Sequence, residues 1–161
     1  MSAVIVKINK YLDAVKDHVK DLDIVHDCQL FNKQIDFSTS KVIGLPLFDG
    51  KATCLIDCLS SVVDKEASRK TQRLLKLYTI NIYIIAKNNK TASPTARIGS
   101  VICQEAIDQI EGLLYDQDFD LNIEQPDIDF TDVVDNGSPV YVEYSIHYLQ
   151  YKQRLTTRVR K

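Results

Sequence analysis

Between residues 53 and 86 the chain carries two runs of alternating apolar residues separated by ten mostly polar ones, and no other stretch constrains the fold as strongly. Thr53 to Val63 sets Cys54, Ile56, Cys58 and Val62 against Thr53, Asp57 and Ser61, with Leu55 and Leu59 breaking the alternation. That pattern suits a strand covered on much of both faces. Leu77 to Ala86 places Ile80, Ile82 and Ile84 on one side and Thr79, Asn81 and Tyr83 on the other. The connector 64–73 has nothing of its own to bury. The segment therefore predicts an antiparallel hairpin with a long polar tip, mobile in an isolated subunit.

Two helices flank it. Ile5, Ile8, Leu12, Val15, Val19 and Leu22 step by three and four, one face of an amphipathic helix, with Lys7, Lys10, Asp13, Lys16, Asp17, Lys20 and Asp21 on the other side. Ser2 is the expected N-cap. Ser93-Pro94 gives an N-cap with proline at the first helical position. From there a helix with a broad apolar stripe (Ile98, Ile102, Cys103, Ala106, Ile107, Ile110, Leu113, Leu114) runs to about Tyr115 and is the expected core helix. Residues 23–50 read as a long irregular crossing with short strands at Ile24-Val25 and Gln34–Phe37. After an acidic stretch at 116–135, Asn136-Gly137-Ser138-Pro139 turns the chain into a last strand. There Val140, Val142, Tyr144, Ile146 and Tyr148 alternate with Tyr141, Glu143, Ser145, His147 and Leu149.

The order helix, crossing, hairpin, helix, strand makes the expected class α+β, with a mostly antiparallel sheet packed against the N-terminal and core helices. One domain is expected over 1–151, followed by a basic tail at 152–161. At 161 residues, 45% hydrophobic and 26% charged, the composition is that of a globular domain able to bury a core. No segment approaches the about 18 consecutive apolar residues of a membrane helix. Lys7, Lys10 and Asp13 fall where a secretory leader needs apolar residues, so synthesis in the cytosol is expected. The sequons at Asn89 and Asn136 are then chance turn composition.

Chemistry-bearing motifs are scarce. Five glycines, all far apart, exclude the clustered loops that cradle phosphates. Cys28, Cys54, Cys58 and Cys103 form no CxxC pair, and Cys54 and Cys58 in one strand stand roughly 13 Å apart, beyond the reach of a disulfide. All four are expected reduced and free of metal. His26-Asp27-Cys28 is the one triplet with a nucleophile's ingredients, yet it has no oxyanion feature beside it. His18 and His147 fall on the polar sides of their elements. Asp116, Asp118 and Asp120 open like a calcium loop, but Leu121 occupies the position that needs glycine, and Asp127 replaces the longer closing glutamate. No catalytic residue, cofactor or metal is assigned.

Charge distribution says more. The net charge is only −2, so the whole domain has no electrostatic footprint for nucleic acid. Locally, 116–135 holds eight acidic residues and no basic one, while the last ten residues hold Lys152, Arg154, Arg158, Arg160 and Lys161 with no acid. Such unlike patches suit complementary contacts between subunits. Tyrosine is common at eight, and Tyr83, Tyr141 and Tyr151 fall on the less apolar faces of their strands, as interface tyrosines do. The candidate interface residues are therefore Arg69, Lys70 and Arg73 of the connector, Asp127, Asp129 and Asp132 of the acidic stretch, those three tyrosines, and Arg154, Arg158 and Arg160. A non-enzymatic adaptor or nucleic-acid-associated module using the basic tail is the competing reading, although no aromatic lies between the tail's charges to stack a base. A small enzyme with an unrecognised site is the third.

The N-terminal amphipathic helix, the crossing with Gly44-Leu45-Pro46, the strand pair with its polar tip at 53–86, the helix opening at Ser93-Pro94 and the last strand Val140–Tyr151 together resemble the tail terminator, or tail completion, proteins of long-tailed bacteriophages. The resemblance spans nearly the whole chain and rests on element order. It implies a structural virion protein, assembled in the host cytoplasm, forming a ring (a hexamer) that caps the tail tube. Implied partners are further copies of itself, the tail tube protein, a head-completion or connector protein and, where the tail is contractile, a sheath, with DNA only as passing cargo and no membrane. In such a ring Asp116, Asp118 and Asp120 are candidates to line the lumen, because acidic walls do not hold phosphates. The acidic stretch and the basic tail have no counterpart in the family pattern.

Overall fold

A computed structural model describes residues 5–30, 50–87, 98–133 and 144–159 of the chain. The elements are α1 (Ile8–Lys20), β1 (Val25–Leu30), β2 (Ala52–Val63), α2 (Lys65–Thr71), β3 (Arg73–Lys87), α3 (Ile98–Asp116), β4 (Asp127–Val133) and β5 (Tyr144–Val159). Their strands form a five-stranded sheet in the order β1-β2-β3-β5-β4. Among the described residues only β1 and β2 run parallel, and the other pairings are antiparallel. The fold is α+β, with α1 and α3 sharing one core against one face of the sheet.

The apolar stripe of α1 works as its periodicity predicts from Leu12 to Val19: Leu12, Val15 and Val19 are buried, and Tyr11 joins them, whereas Ile5 precedes the helix and is exposed. His18 and Lys20 lie in its last turn, where cations complement the helix dipole. The helix starts later than expected. Its N-cap is Lys7, not Ser2, and Val6 is extended enough for its N–H to bond the Thr156 carbonyl at 3.0 Å. Pairing to β5 there competes successfully with a further helical turn. The Ser93-Pro94 cap, the 34–37 strand and the Gly44-Leu45-Pro46 crossing lie outside the described residues.

The hairpin exists, but its tip is not a bare loop. Residues 65–71 form α2, capped by Asp64 Oδ1 accepting from the Ala67 N–H at 3.1 Å and closed by Gln72 in the left-handed region at φ 55°. Ser68 Oγ accepts from the Leu75 N–H at 3.0 Å and ties the helix down to β3. No residue of α2 is buried, so the 3.6-residue apolar signal is missing, and only the cap and good helix formers mark it. The expectation of an unstructured tip is corrected accordingly. The two-sided burial expected of β2 holds for Ala52–Ile56 alone. Past a bulge at Cys58–Ser60 its residues 59–63 are exposed. The distal hairpin is thus an arm leaving the body of the sheet.

The C-terminal readings change most. β5 does not end near Tyr151; it pairs with β3 as far as Val159 opposite Arg73. Lys152 and Arg154 alternate with buried Tyr151, Gln153 and Leu155, so the charges mark one face of a strand and not a tail. The helix-facing set is Leu149, Tyr151, Gln153 and Leu155, while Ile146 and Tyr148 point to the opposite face. His147 is likewise buried, bonded to Ser100 Oγ of α3 at 2.9 Å, and not on a polar surface. The acidic stretch is no simple solvated loop either. Phe119 and Leu121 are buried, and Asp127–Val133 is β4, an edge strand on β5.

Because Leu155 is 1% exposed, Leu155→Ala is expected to lower unfolding free energy in urea by about 2–5 kcal/mol. Truncation after Gln153 should destabilise the domain at least as much. A frayed tail would give no change in either case.

Candidate functional site

Arg154 organises the base of the arm. Its Nε and Nη2 donate to Asp64 Oδ2 at 3.0 and 2.7 Å, and its Nη1 donates to Glu124 Oε2 at 2.9 Å. One guanidinium thereby joins β5, the cap of α2 and the turn before β4. The planar fork suits this two-sided grip, which an ammonium group would not reproduce. Behind it Tyr11 Oη donates to Gln153 Oε1 at 3.2 Å, so Tyr151 is the donor in the 2.9 Å bond between the two tyrosines. Gln153 Nε2 donates to the Glu124 carbonyl at 2.9 Å. Burial pushes both phenols upward in pKa, so they stay protonated hydrogen-bond donors.

Beyond this brace the arm presents Leu59, Val62, Val63 and Val159 at 49, 60, 42 and 39% exposure. Lys65, Arg69, Lys70 and Arg158 are exposed around them, and Arg73 is half-exposed. Lys70 pairs with Glu66 on α2 at 3.3 Å, an exposed contact of small energetic weight. Arg69, Lys70, Arg73 and Arg158 are thus brought together, whereas Arg154 is engaged inside the chain by Asp64 and Glu124. Tyr151 is fully buried against Tyr11, which removes it from the interface candidates. Its shared parity with Leu149 and Leu155 in β5 is the signal that marks it as a core residue. Tyr83 lies on the sheet face away from the helices, 6.0 Å from Tyr148 between ring centres, and its hydroxyl accepts from Asn81 Nδ2 at 3.3 Å. Asp127 is exposed, and Asp129 and Asp132 belong to edge strand β4. Tyr141 and Arg160 lie outside the described residues.

Asp116, Asp118 and Asp120 are exposed together where α3 ends. The turn is held from below: the Phe119 ring meets Tyr11 edge-on at 6.1 Å and His18 at 5.0 Å. Phe119, Asp120 and Asn122 all have φ between 54 and 59°. This is costly backbone for residues with a Cβ, offset by burying Phe119 and Leu121. Asp118 Oδ1 accepts from the Asp120 N–H at 3.0 Å, using up part of the carboxylate that a cation would need. Among the described residues no three His, Cys, Asp or Glu side chains converge as metal ligands.

The His26-Asp27-Cys28 triplet lies on edge strand β1. Burial, reinforced by Asp27, pushes the Cys28 thiol up to about 12, the opposite of thiolate activation. Asp27 Oδ1 accepts from the Cys28 N–H at 2.9 Å, and Oδ2 accepts from Gln29 Nε2 at 2.8 Å. Although burial alone raises it, Gln29, the Cys28 N–H and Lys20 draw the Asp27 carboxyl below its ordinary value. The carboxylate occupies a backbone donor of the edge, which blunts β1 as a template for another strand. The four cysteines are free thiols; Cys28 and Cys54 are register partners, and Cys103 Sγ donates to the Ile84 carbonyl at 3.4 Å.

No family model and no curated protein matches the chain.

The Ala67 N–H, followed by Arg154, holds the Asp64 carboxyl below its ordinary 3.8. A depressed carboxyl stabilises the fold fully above its unfolded value and loses that contribution as pH falls through the folded one. The Ala67 amide resonance should therefore titrate with a midpoint below 3.8, and Asp64→Asn should abolish the titration. A midpoint at or above 3.8 contradicts the clamp.

Proposed function

We propose that the protein is a structural subunit that works by docking other proteins, and that it acts as a tail terminator, a ring on the end of a phage tail tube that joins it to the head or neck. The observation that supports this reading best is the arm. Of the seven large apolar residues exposed among the described residues, four are on it. Exposed apolar side chains concentrated on one braced projection mark a surface meant to be covered by protein.

Capping a tube needs two unlike faces and no catalysis. A heterologous contact repeated around a closed ring uses different patches of each subunit. Asp116, Asp118 and Asp120 are the proposed lumen lining, since DNA passes more freely along acidic walls than along basic ones. Tail tube, head connector and further copies of this chain are the proposed partners, and the virion tail or neck the proposed location.

The competing adaptor or nucleic-acid reading drew on a free basic tail. Its Lys152 and Arg154 are strand residues, and Arg154 is already neutralised by Asp64 and Glu124. That leaves fewer free cations for phosphates.

Mixing the purified protein with tail tubes that lack their terminal ring tests the proposal. Tubes should acquire a capping ring and become competent to join heads. Tubes that stay uncapped refute it, even if the protein oligomerises by itself.

A further inference from the structure

The outer side of α3 has the opposite character to the arm. Val101, Glu105, Asp108 and Tyr115 follow spacings of four, three and seven, which align them along one side of the helix. All four are exposed, Val101 at 64% and Tyr115 at 48%. From residue 98 to 133 the chain has no lysine, arginine or histidine, so nothing on this element neutralises its carboxylates. Glu111, next to this stripe, has its carboxyl raised by burial and then by the negative charge of Asp108.

The exposed large apolar residues divide sharply between these two places. Apart from Ile5, those among the described residues are on the arm or on the outer side of α3. On the arm they sit among Lys65, Arg69 and Lys70, a net positive surround in spite of Glu66 beside Lys70; on α3 they sit among Glu105 and Asp108. Each surface thus has an apolar centre and a charged surround, and the surrounds are of opposite sign. Stable heterologous interfaces have this composition, with charge setting register and apolar contact excluding water. Edge pairing is the obvious alternative route to assembly, and Asp27 obstructs it at β1.

We propose that the arm of one copy docks on the outer side of α3 of a second copy through the face that carries Val62, its apolar side chains meeting those of Val101 and Tyr115 while Arg69 and Lys70 meet Glu105 and Asp108. The inference rests on the reading above that the chain assembles with itself, and it names the contact. Because the two patches differ, the contact leaves an arm and an α3 free at the two ends of any open chain of subunits. Assembly therefore continues, into a ring where the rotation per subunit closes and into a filament where it does not.

Charge reversal on each side, followed by mixing, tests this. The arm variant Arg69→Glu/Lys70→Glu and the helix variant Glu105→Lys/Asp108→Lys change exposed residues, and an unaltered Tm identifies folded protein. In native mass spectrometry and sedimentation each variant alone is expected to fall to monomer, its association weakened at least about tenfold. In the equimolar mixture every reversed arm faces a reversed helix, and every native arm faces a native helix. The mixture is therefore expected to recover the assembly of the unaltered chain. Val62→Ser, which leaves every charge in place, should weaken association as well. Unaltered assembly in either charge variant overturns the contact, as does a mixture that stays monomeric. A loss of nucleic-acid binding with assembly intact overturns it in favour of a different partner. If the unaltered chain is itself monomeric at every concentration, both this contact and ring formation fail. If the unaltered chain and both variants assemble alike, only the contact fails.

Discussion

The pairing of β3 with β5 is the constraint on which the rest depends. It runs from Arg73 opposite Val159 to Lys87 opposite Tyr144, the length of both strands. At one end its helix-facing side chains, Ile80, Ile82, Ile84 and Leu149, make the floor of the core under α1 and α3. At the other end the same ladder continues past the body of the domain and becomes the arm. Core and projection are one continuous piece of sheet. A two-stranded hairpin is marginal in water, and a third strand beside it changes that. β5 supplies the third strand.

Arg154 turns that backing into a fixed geometry. It sits on β5 where β2 gives way to α2, and its bonds to Asp64 and Glu124 fix the base of the arm to the acidic turn. The Tyr11–Tyr151–Gln153 bonds do the same one layer deeper, linking α1 to β5 inside the core. A fully satisfied buried polar network specifies one arrangement where an apolar core tolerates several. A projection that must meet a partner at a defined angle needs this restraint, because ordering it only upon contact would subtract from affinity.

Periodicity made much of this legible in the sequence. The stripe of α1, the isoleucines of β3 and the broad face of α3 each repeat long enough to identify the element and its buried side. Sequence reasoning failed where a different principle prevailed. α2 has no apolar face, so only the Asp64 cap and the Glu66–Lys70 spacing announce it. In β5 the basic residues drew attention from Tyr151, Gln153 and Leu155, whose alternation with them is the strand signal. Phe119 and Leu121 were lost among aspartates, although two large apolar residues two apart are uncommon in a purely solvated loop. The candidate site was half legible: Arg69, Lys70, Arg73 and Arg158 gather on the arm, but the exposed Leu59, Val62 and Val63 read as interior strand residues. Nothing local distinguishes an apolar residue facing the core from one that has outrun it. The bulge at Cys58–Ser60 marks the change, and a bulge is a property of pairing.

The claim that the arm is an extension of the sheet, and not an independent flap, is tested most directly by amide hydrogen exchange on the unaltered chain. Peptides covering residues 60–63 and 73–77 should be protected to within about tenfold of those covering 80–86 at the centre of β3. Exchange of the arm segments at close to the rate of an unstructured peptide, with the centre of β3 still protected, would contradict the account.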